Sequence, residues 1–265
     1  MKERARFGLA LSGGAVRGAA HIGVLRVLER EGLRPDAIAG TSIGAIIGAA
    51  YAAGRSTHDL ERLFSGLDWF SLVRPTLRLK RSLVNRKRMG RFLSDELGLS
   101  TFEALRTPFV AVACDLQSGE RVELTGGDVA LAVRASSALP GIFSPEEVDG
   151  RMLVDGSVVQ NLPVETAAGM EVDRVIAVDL LPTGQGARRP DNLFEIWHRS
   201  VYLMVRANHP SCGDGCHVIT PQIADMSFTD FNEVTELVRR GEAAARKALP
   251  AILGELDSTR ETPGR

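Results

Sequence analysis

The segment RFGLALSGGAVRGAAHIGVLRVLEREGLRPDAIAGTSIGAIIGAAYAAG, residues 6–54, contains the pattern that decides the fold. Two short apolar runs, RFGLAL (6–11) and DAIAG (36–40), are typical of buried strands, and each ends in a glycine-rich turn. Each turn leads into a stretch with helical spacing or small residues, which Gly32 and Gly54 close. A strand, a turn and a helix, repeated once, predict a parallel sheet covered by helices.

The rest of the chain continues this alternation. Further elements are expected as strands at 108–116, 118–127 (antiparallel), about 151–155, 173–181 and 216–221, and as helices at about 192–207 and 233–255. The sequence therefore predicts an α/β fold, a three-layer α/β/α sandwich with a mainly parallel central sheet. We expect one domain over residues 1–265, with its core at about 7–220 and a C-terminal helix at about 233–255.

Composition limits the function classes. The 265 residues include 44% hydrophobic and 25% charged residues, and the formal net charge is −1. No global positive field favours nucleic acid as a partner. The chain shows no signal-peptide core and no apolar run of transmembrane length, and its cysteines, Cys114, Cys212 and Cys216, are too few for a disulfide framework. We expect a cytoplasmic protein that needs no metal and no cofactor.

The turn GTSIG, residues 40–44, fits the G-x-S-x-G pattern between a strand and a helix. This context suits a nucleophilic serine, because the sharp turn exposes the Ser42 hydroxyl and the flanking glycines remove Cβ atoms that would collide. The alternative is that Ser42 only caps the following helix.

The loop SGGAVRG, residues 12–18, does not bind phosphate in a known way. A dinucleotide fingerprint fails because Ala15 stands where a second glycine is required, and a P-loop fails because Ala19 and Ala20 follow Gly18. What remains is a cluster of backbone N–H groups at a helix start, which suits an oxyanion site. An ordinary glycine-rich turn is the alternative.

The five histidines do not stand in settings that suit a general base. His198 falls within a helix, His209 precedes a proline in a loop, and His217 opens a strand. His21 and His58 fall on helices, where a surface role is expected.

Asp155 is a better candidate for the base. It ends an apolar strand within LVDGSVVQNLP (153–163), and the following Gly156 and Ser157 form a turn that is expected to leave its carboxylate exposed at the edge of the sheet. A carboxylate held against the serine hydroxyl can take its proton directly. An aspartate that bonds its own backbone in a D-G turn is the alternative.

The chain resembles the patatin-like phospholipases, in particular their bacterial single-domain members. The resemblance lies in residues 8–54, TFEALRTPFVAVACDLQSGE (101–120), VRASSALPGIFSPEEVDGRMLVDGSVVQNLPVE (133–165) and DRVIAVDLLP (173–182). It implies a Ser–Asp dyad of Ser42 and Asp155 without a histidine. The residues that match the family's oxyanion loop are Gly13, Gly14, Ala15, Arg17 and Gly18, and its other motif glycines match Gly40, Gly44 and Gly156.

Two positions depart from the family pattern. Ala15 replaces a glycine, which costs stability only if the backbone there needs a positive φ. Ser157 replaces Gly or Ala, and its hydroxyl is placed to bond Asp155 and change its basicity. Arg17 pairs with a substrate phosphate or anchors the loop; the sequence leaves both open.

The resemblance implies hydrolysis of carboxylic esters in phospholipids, lysophospholipids or other lipid acyl esters through an acyl-enzyme. Two alternatives stay open: an acyl thioesterase, and a non-catalytic regulator at the membrane that retains the fold.

Two segments invite further hypotheses. The segment Arg74–Arg91 holds eight Lys and Arg and no acid, and could carry peripheral contact with the inner membrane face; a solvated loop is the alternative. The cluster His209–His217 places two His and two Cys in nine residues. Structural zinc sites draw ligand pairs from separated segments, so we expect no zinc there, whereas a loop disulfide could form on oxidation.

Overall fold

The computed structural model describes residues 4–66, 86–181, 193–207, 212–226 and 231–257. Eight strands form one sheet: β1 (Phe7–Leu11), β2 (Ala37–Thr41), β3 (Phe109–Asp115), β4 (Arg121–Leu124), β5 (Glu146–Val148), β6 (Arg151–Asp155), β7 (Arg174–Val178) and β8 (Cys216–Ile219). The helices are α1 (Ala19–Arg30), α2 (Ile43–Ala52), α3 (Thr57–Gly66), α4 (Arg86–Arg91), α5 (Val129–Ser136), α6 (Val164–Ala168), α7 (Leu193–Ala207) and α8 (Val234–Asp257).

The sheet has the strand order β5-β6-β3-β2-β1-β7-β8, and β4 pairs with β3 beside this path. Strands β3, β2, β1, β7 and β8 run parallel, whereas β4, β5 and β6 are antiparallel additions. The carboxyl ends of β1 and β2 therefore meet at one edge of the sheet. This edge brings the loop after β1 beside the turn after β2.

The two faces of the central strands pack against different layers. Leu9, Leu11 and Ile38 belong to the large core under α1, α2, α3 and α8, whereas Ala10 and Ala39 pack toward the short helix α6. The alternation follows from the two-residue period of a strand. Small residues on the α6 face let that helix lie close to the sheet.

Helices α1 and α8 cross at two glycines. A Cβ on Gly23 would lie 2.0 Å from the carbonyl oxygen of Val238, and a Cβ on Gly241 would lie 2.0 Å from that of Ala20. No side chain fits at such distances, so the two backbones touch. The C-terminal helix is thus part of the core.

The structure confirms the predicted α/β sandwich and its mainly parallel sheet. The hairpin strand β5 was missed, because Glu146–Val148 is only three residues long and carries two acids. Gly32 and Gly54 adopt φ of 69° and 96°, as helix-closing glycines do.

The segments behind two further hypotheses are described only in part. Of Arg74–Arg91, residues 74–85 lie outside the described residues, and Arg86–Arg91 form α4. Within His209–His217, residue His209 lies outside them, while Cys212 and Cys216 are joined by a disulfide across a Cα–Cα distance of 5.6 Å. None of the helices in the described part of the chain is long and apolar enough to cross a membrane.

Candidate active site

Ser42 stands on the turn between β2 and α2 in a backbone conformation that few residues adopt. Its φ is 55° and its ψ is −122°, while its carbonyl oxygen already accepts the amides of Ala45 and Ile46 at 2.9 and 3.1 Å. A non-glycine residue in this region is strained by about 1–3 kcal/mol and persists only where its surroundings hold it. The turn places Ser42 at the N-terminus of α2, the positive end of the helix dipole.

The flanking glycines permit this turn because the backbone is crowded on both sides. A Cβ on Gly40 would lie 2.6 Å from Cα of Ala45, and a Cβ on Gly44 would lie 2.2 Å from the carbonyl oxygen of Leu11. Both obstacles are backbone atoms, which cannot rotate away. Only glycine fits at these two positions.

A second serine holds the strained turn from outside. The amide of Ser42 donates to Oγ of Ser136 at 3.0 Å, and that hydroxyl donates to the carbonyl oxygen of Val112 at 2.6 Å. Ser136 is fully buried at the end of α5. This role of Ser136 was not predicted from the sequence, where a polar residue at the end of an apolar helix is the signal for it.

Asp155 lies at the end of β6 and is 1% exposed, so the expectation that its carboxylate is exposed at the edge of the sheet is wrong. Its Oδ1 accepts the backbone amide of Ser157 at 2.8 Å, and the hydroxyls of Ser42 and Ser157 lie close enough to lower the pKa of the carboxylate. The hydrogen bond from the Ser157 amide is the contact expected of an aspartate that bonds its own backbone in a D-G turn. The Ser42 hydroxyl, which also lowers the pKa of Asp155, is a long-range neighbour that such a turn does not require.

Burial raises the pKa of Asp155 above its ordinary value, and the hydrogen bonds from Ser157 and Ser42 act in the opposite direction. A carboxylate removed from water is a stronger base than a solvated one. The hydroxyl of Ser157 thus opposes the effect of burial on the pKa of Asp155.

Gly156 lets the Asp155 turn approach the sheet. A Cβ on Gly156 would lie 2.2 Å from the carbonyl oxygen of Val112 and 3.1 Å from Cγ2 of Thr41. Val112 is therefore a shared neighbour, since its carbonyl also accepts the Ser136 hydroxyl. The two turns that carry Ser42 and Asp155 are braced on the same stretch of β3.

The loop after β1 lies directly against Ser42. A Cβ on Gly13 would lie 3.3 Å from Cβ of Ser42 and 2.6 Å from Oδ1 of Asn161. The amide of Gly13 donates to the carbonyl oxygen of Asn161 at 3.2 Å and is therefore engaged. Of the three amides assigned to an oxyanion site, those of Gly14 and Ala15 remain as the candidate donors.

Gly18 brings the same loop onto α2. A Cβ on Gly18 would lie 2.1 Å from Cγ1 of Ile43, the first residue of that helix. This contact fixes the distance between the loop and the turn that carries Ser42.

Ala15 adopts a φ of 51°, the left-handed region that favours glycine. The departure from the family pattern at this position therefore costs stability. We expect Ala15→Gly to raise the free energy of unfolding by about 1 kcal/mol, because it relieves this strain. Urea denaturation measures the change. Ala19→Gly is the matched control, since Ala19 lies in α1 and its replacement is expected to lower stability; a lower stability for Ala15→Gly would contradict the assignment.

Arg17 is 3% exposed and anchors the loop to a distant segment. Its guanidinium donates to the carbonyl oxygens of Met226 at 2.6 Å and Ala224 at 3.3 Å. Burial lowers the pKa of Arg17 to about 10, and Tyr202 and Asp225 act in the opposite direction. Of the two roles left open by the sequence, these contacts favour the anchor.

His21 is fully buried, so the expected surface role is wrong. Its Nε2 lies 2.8 Å from the carbonyl oxygen of Ser12, which can only accept, so Nε2 carries the proton. Burial lowers the pKa of His21 to about 4. The imidazole is therefore neutral at pH 7 and supports the peptide that leads into the Gly13 loop.

The neutral state of His21 predicts a pH dependence of stability. The unfolded chain binds this proton below pH 6.5 and the folded protein only below about pH 4, so stability falls as the pH drops through this window. We expect His21→Gln to lose about 3 kcal/mol less than wild type on acidification across it. Urea denaturation at each pH tests this. The exposed His58→Gln is the control; equal losses in wild type and His21→Gln would refute a neutral buried His21.

No group of three or more His, Cys, Asp or Glu side chains within the described ranges is arranged to hold a metal ion. His217 lies 3.4 Å from Glu255 and beside the Cys212–Cys216 disulfide, which leaves those sulfurs without thiolates to bind zinc.

The strained serine turn, the buried aspartate close to its hydroxyl and the glycine-rich loop against the turn are arranged on an α/β fold of the patatin type. The chain belongs to the patatin-like phospholipase family, whose sequence pattern matches residues 9–168.

Its relatives include an uncharacterized NTE family protein of Mycobacterium tuberculosis, 36% identical over 187 residues that cover 69% of this chain and 51% of the relative. The mouse patatin-like phospholipase domain-containing protein 6 is 34% identical over 181 residues, covering 65% of this chain and 13% of that protein. The chain thus spans about half the length of the mycobacterial relatives it matches.

A solved structure, VipD from Legionella pneumophila, superposes with a TM-score of 0.65 over 94% of this chain and 67% of that chain. The sequence identity is 12%, so the likeness concerns the fold alone.

Proposed function

We propose that this protein is a serine acyl hydrolase that cleaves carboxylic esters of phospholipids, lysophospholipids or other lipid acyl esters, with Ser42 as nucleophile and Asp155 as base. The observation that carries the proposal is a carboxylate that is 1% exposed and lies close enough to the Ser42 hydroxyl for that hydroxyl to lower its pKa. Family membership supports the lipid substrate class. No cofactor is needed for this chemistry.

In the first half-reaction Asp155 takes the proton of the Ser42 hydroxyl as Oγ attacks the ester carbonyl carbon. The carbonyl oxygen becomes negative, and the amides of Gly14 and Ala15 donate to it beside the N-terminus of α2. When the intermediate collapses, the carbon–oxygen bond to the leaving alcohol breaks. That oxygen takes the proton from Asp155, and the acyl group stays on Ser42.

In the second half-reaction Asp155 removes a proton from water, whose oxygen attacks the acyl carbon. The bond to Oγ breaks, Ser42 regains its proton, and the carboxylic acid leaves. One carboxylate serves both steps, which explains why a histidine is not required. Its raised pKa strengthens it as a base in each.

Labelling with a fluorophosphonate probe and peptide mapping tests the nucleophile. We expect the phosphonyl group on Ser42 in wild type and no label in Ser42→Ala. The probe forms a bond from Oγ to phosphorus and expels fluoride, so it reports an activated hydroxyl without requiring the natural lipid.

Ser157→Ala is a companion variant, because it removes only the hydroxyl of this residue and retains the hydrogen bond from its backbone amide to Asp155. A label on another serine, or equal labelling of wild type and Ser42→Ala, would refute the proposed nucleophile.

A further inference from the structure

Helix α7 carries an exposed apolar face. Among the described residues, six large apolar side chains are clearly exposed, and three of them lie on this helix: Ile196, Leu203 and Met204, at 50%, 51% and 59%. At about 100° per residue, positions 196, 203 and 204 fall within one arc about 100° wide. Tyr202 on the opposite side is buried. The three residues, called the α7 face below, form one surface together with the exposed Ser200, which lies between them on the same arc and whose hydroxyl donates to the carbonyl oxygen of Ile196 at 2.8 Å.

Basic residues border the α7 face on one side. Arg199 and Arg206 are seven residues apart and fall on the flank next to Leu203. The guanidinium of Arg199 lies 5.1 Å from the centre of the Tyr202 ring, which holds its stem against the helix. An apolar face with arginines along its edge is the pattern of helices that lie in a membrane interface.

Helix α7 also lies beside the candidate active site. A Cβ on Gly141 would lie 3.2 Å from Cζ2 of Trp197, and Gly141 belongs to the loop whose Ala138 carbonyl accepts the amide of Asp155 at 3.0 Å. Five residues further along α7, Tyr202 is close enough to Arg17 of the Gly13 loop to interact with its charge. The helix therefore connects the two loops that flank Ser42.

We propose that the α7 face docks on a lipid surface that contains anionic lipid. Three half-exposed apolar side chains would enter the acyl boundary, while Arg199 and Arg206 would meet phosphate groups at the same depth. This contact would bring the Ser42 side of the sheet to the lipid. The inference rests on the proposed lipid hydrolase function, since a soluble ester would not require such a face.

Vesicle co-sedimentation tests the docking face in a Ser42→Ala background, so that binding is measured without turnover. The probes are vesicles of phosphatidylcholine alone and of equal parts phosphatidylcholine and phosphatidylglycerol. We expect Leu203→Asp to lower partitioning onto the mixed vesicles about tenfold, and Ile196→Asp with Leu203→Asp about a hundredfold. Arg199→Gln with Arg206→Gln is expected to lower it about tenfold on mixed vesicles and little on neutral ones.

Leu116→Asp is the matched control, because Leu116 is also 51% exposed but lies in the turn after β3. It is expected to bind like the Ser42→Ala parent, and thermal melts verify that each variant is folded. The proposal would be overturned if the Ser42→Ala parent did not bind vesicles, or if it bound them no better than the variant with Ile196→Asp and Leu203→Asp. A loss of binding in Leu116→Asp as large as that in Leu203→Asp would also overturn it. A concentration-dependent dimer that Leu203→Asp dissolves would also overturn it, because the α7 face would then contact a second copy of the chain.

The two proposals fail separately. Absence of a fluorophosphonate label on Ser42 refutes the hydrolase and leaves the binding result to stand as measured. Absence of vesicle binding refutes the docking face and leaves the labelling result intact.

Discussion

Asp155→Asn is expected to lower kcat/KM for ester hydrolysis by about 10³-fold and to raise the melting temperature. The activity falls because the amide cannot take the proton of Ser42, and a general base contributes about 10²–10⁴-fold. The amide keeps the shape of the carboxylate, and its oxygen can still accept the amide of Ser157. The loss therefore measures the chemistry of the carboxylate and not a cavity.

The stability of Asp155→Asn is expected to rise, because the raised pKa of Asp155 means that its buried negative charge destabilises the folded protein. The folded protein binds this proton more tightly than the unfolded chain, so stability falls as the pH rises from the ordinary value of about 3.9 to the raised one. Above that window the whole cost of burying the charge is present. Asparagine carries no charge and removes this cost at neutral pH.

Hydrolysis of a short-chain ester and a thermal melt measure both effects in one preparation. Asp115→Asn is the matched control, because Asp115 is also buried and also accepts the amide two residues on, that of Gln117, at 2.9 Å. It is expected to keep activity within about threefold. A variant Asp155→Asn that retains activity, or that melts below wild type, would contradict the role of the buried carboxylate.

Gly23→Ala is expected to lower the free energy of unfolding by at least about 3 kcal/mol. The added methyl group would lie 2.0 Å from the carbonyl oxygen of Val238 and 2.7 Å from the amide nitrogen of Glu242. Both are backbone atoms of α8, so the two helices must move apart and the packing between them is lost. The higher helix propensity of alanine, about 1 kcal/mol, does not offset this.

Urea denaturation measures the Gly23→Ala effect, and Gly254→Ala provides the control. Gly254 lies in α8 as well, but a Cβ there would meet nothing within 4 Å. That variant is expected to be as stable as wild type or up to about 1 kcal/mol more stable. If both variants behaved alike, the close contact of α1 and α8 would be wrong.

Much of the fold could be predicted from the sequence because its signals are local. Apolar runs that end in glycine turns indicate β1, β2 and their helices, and the carboxyl ends of parallel strands meet at one edge. The pairing of Ser42 with Asp155 came from the family resemblance, since 113 positions separate them and spacing alone says nothing of their contact.

What the sequence could not show depends on tertiary packing. The burial of His21 depends on α1 lying between the sheet and α8. The sequence of an amphipathic helix does not show whether a histidine on it faces the core or the solvent. The bond from Ser42 to Ser136 and the engagement of the Gly13 amide by Asn161 join residues far apart in the chain. The positive φ of Ala15 is seen only in the structure, because a glycine in the sequence would have indicated it and an alanine does not.

The crossing of α1 and α8 has a consequence for how the chain is made. The apolar side of α1 leaves the ribosome about 200 residues before α8 does, which at usual rates of synthesis is roughly 10–40 s. During that interval Gly23 and its neighbours face water without their partner helix, and Arg17 lacks the carbonyls of Ala224 and Met226. We therefore expect the nascent chain to expose aggregation-prone apolar surface until α8 emerges, and the loop beside the serine turn to reach its final contacts only then.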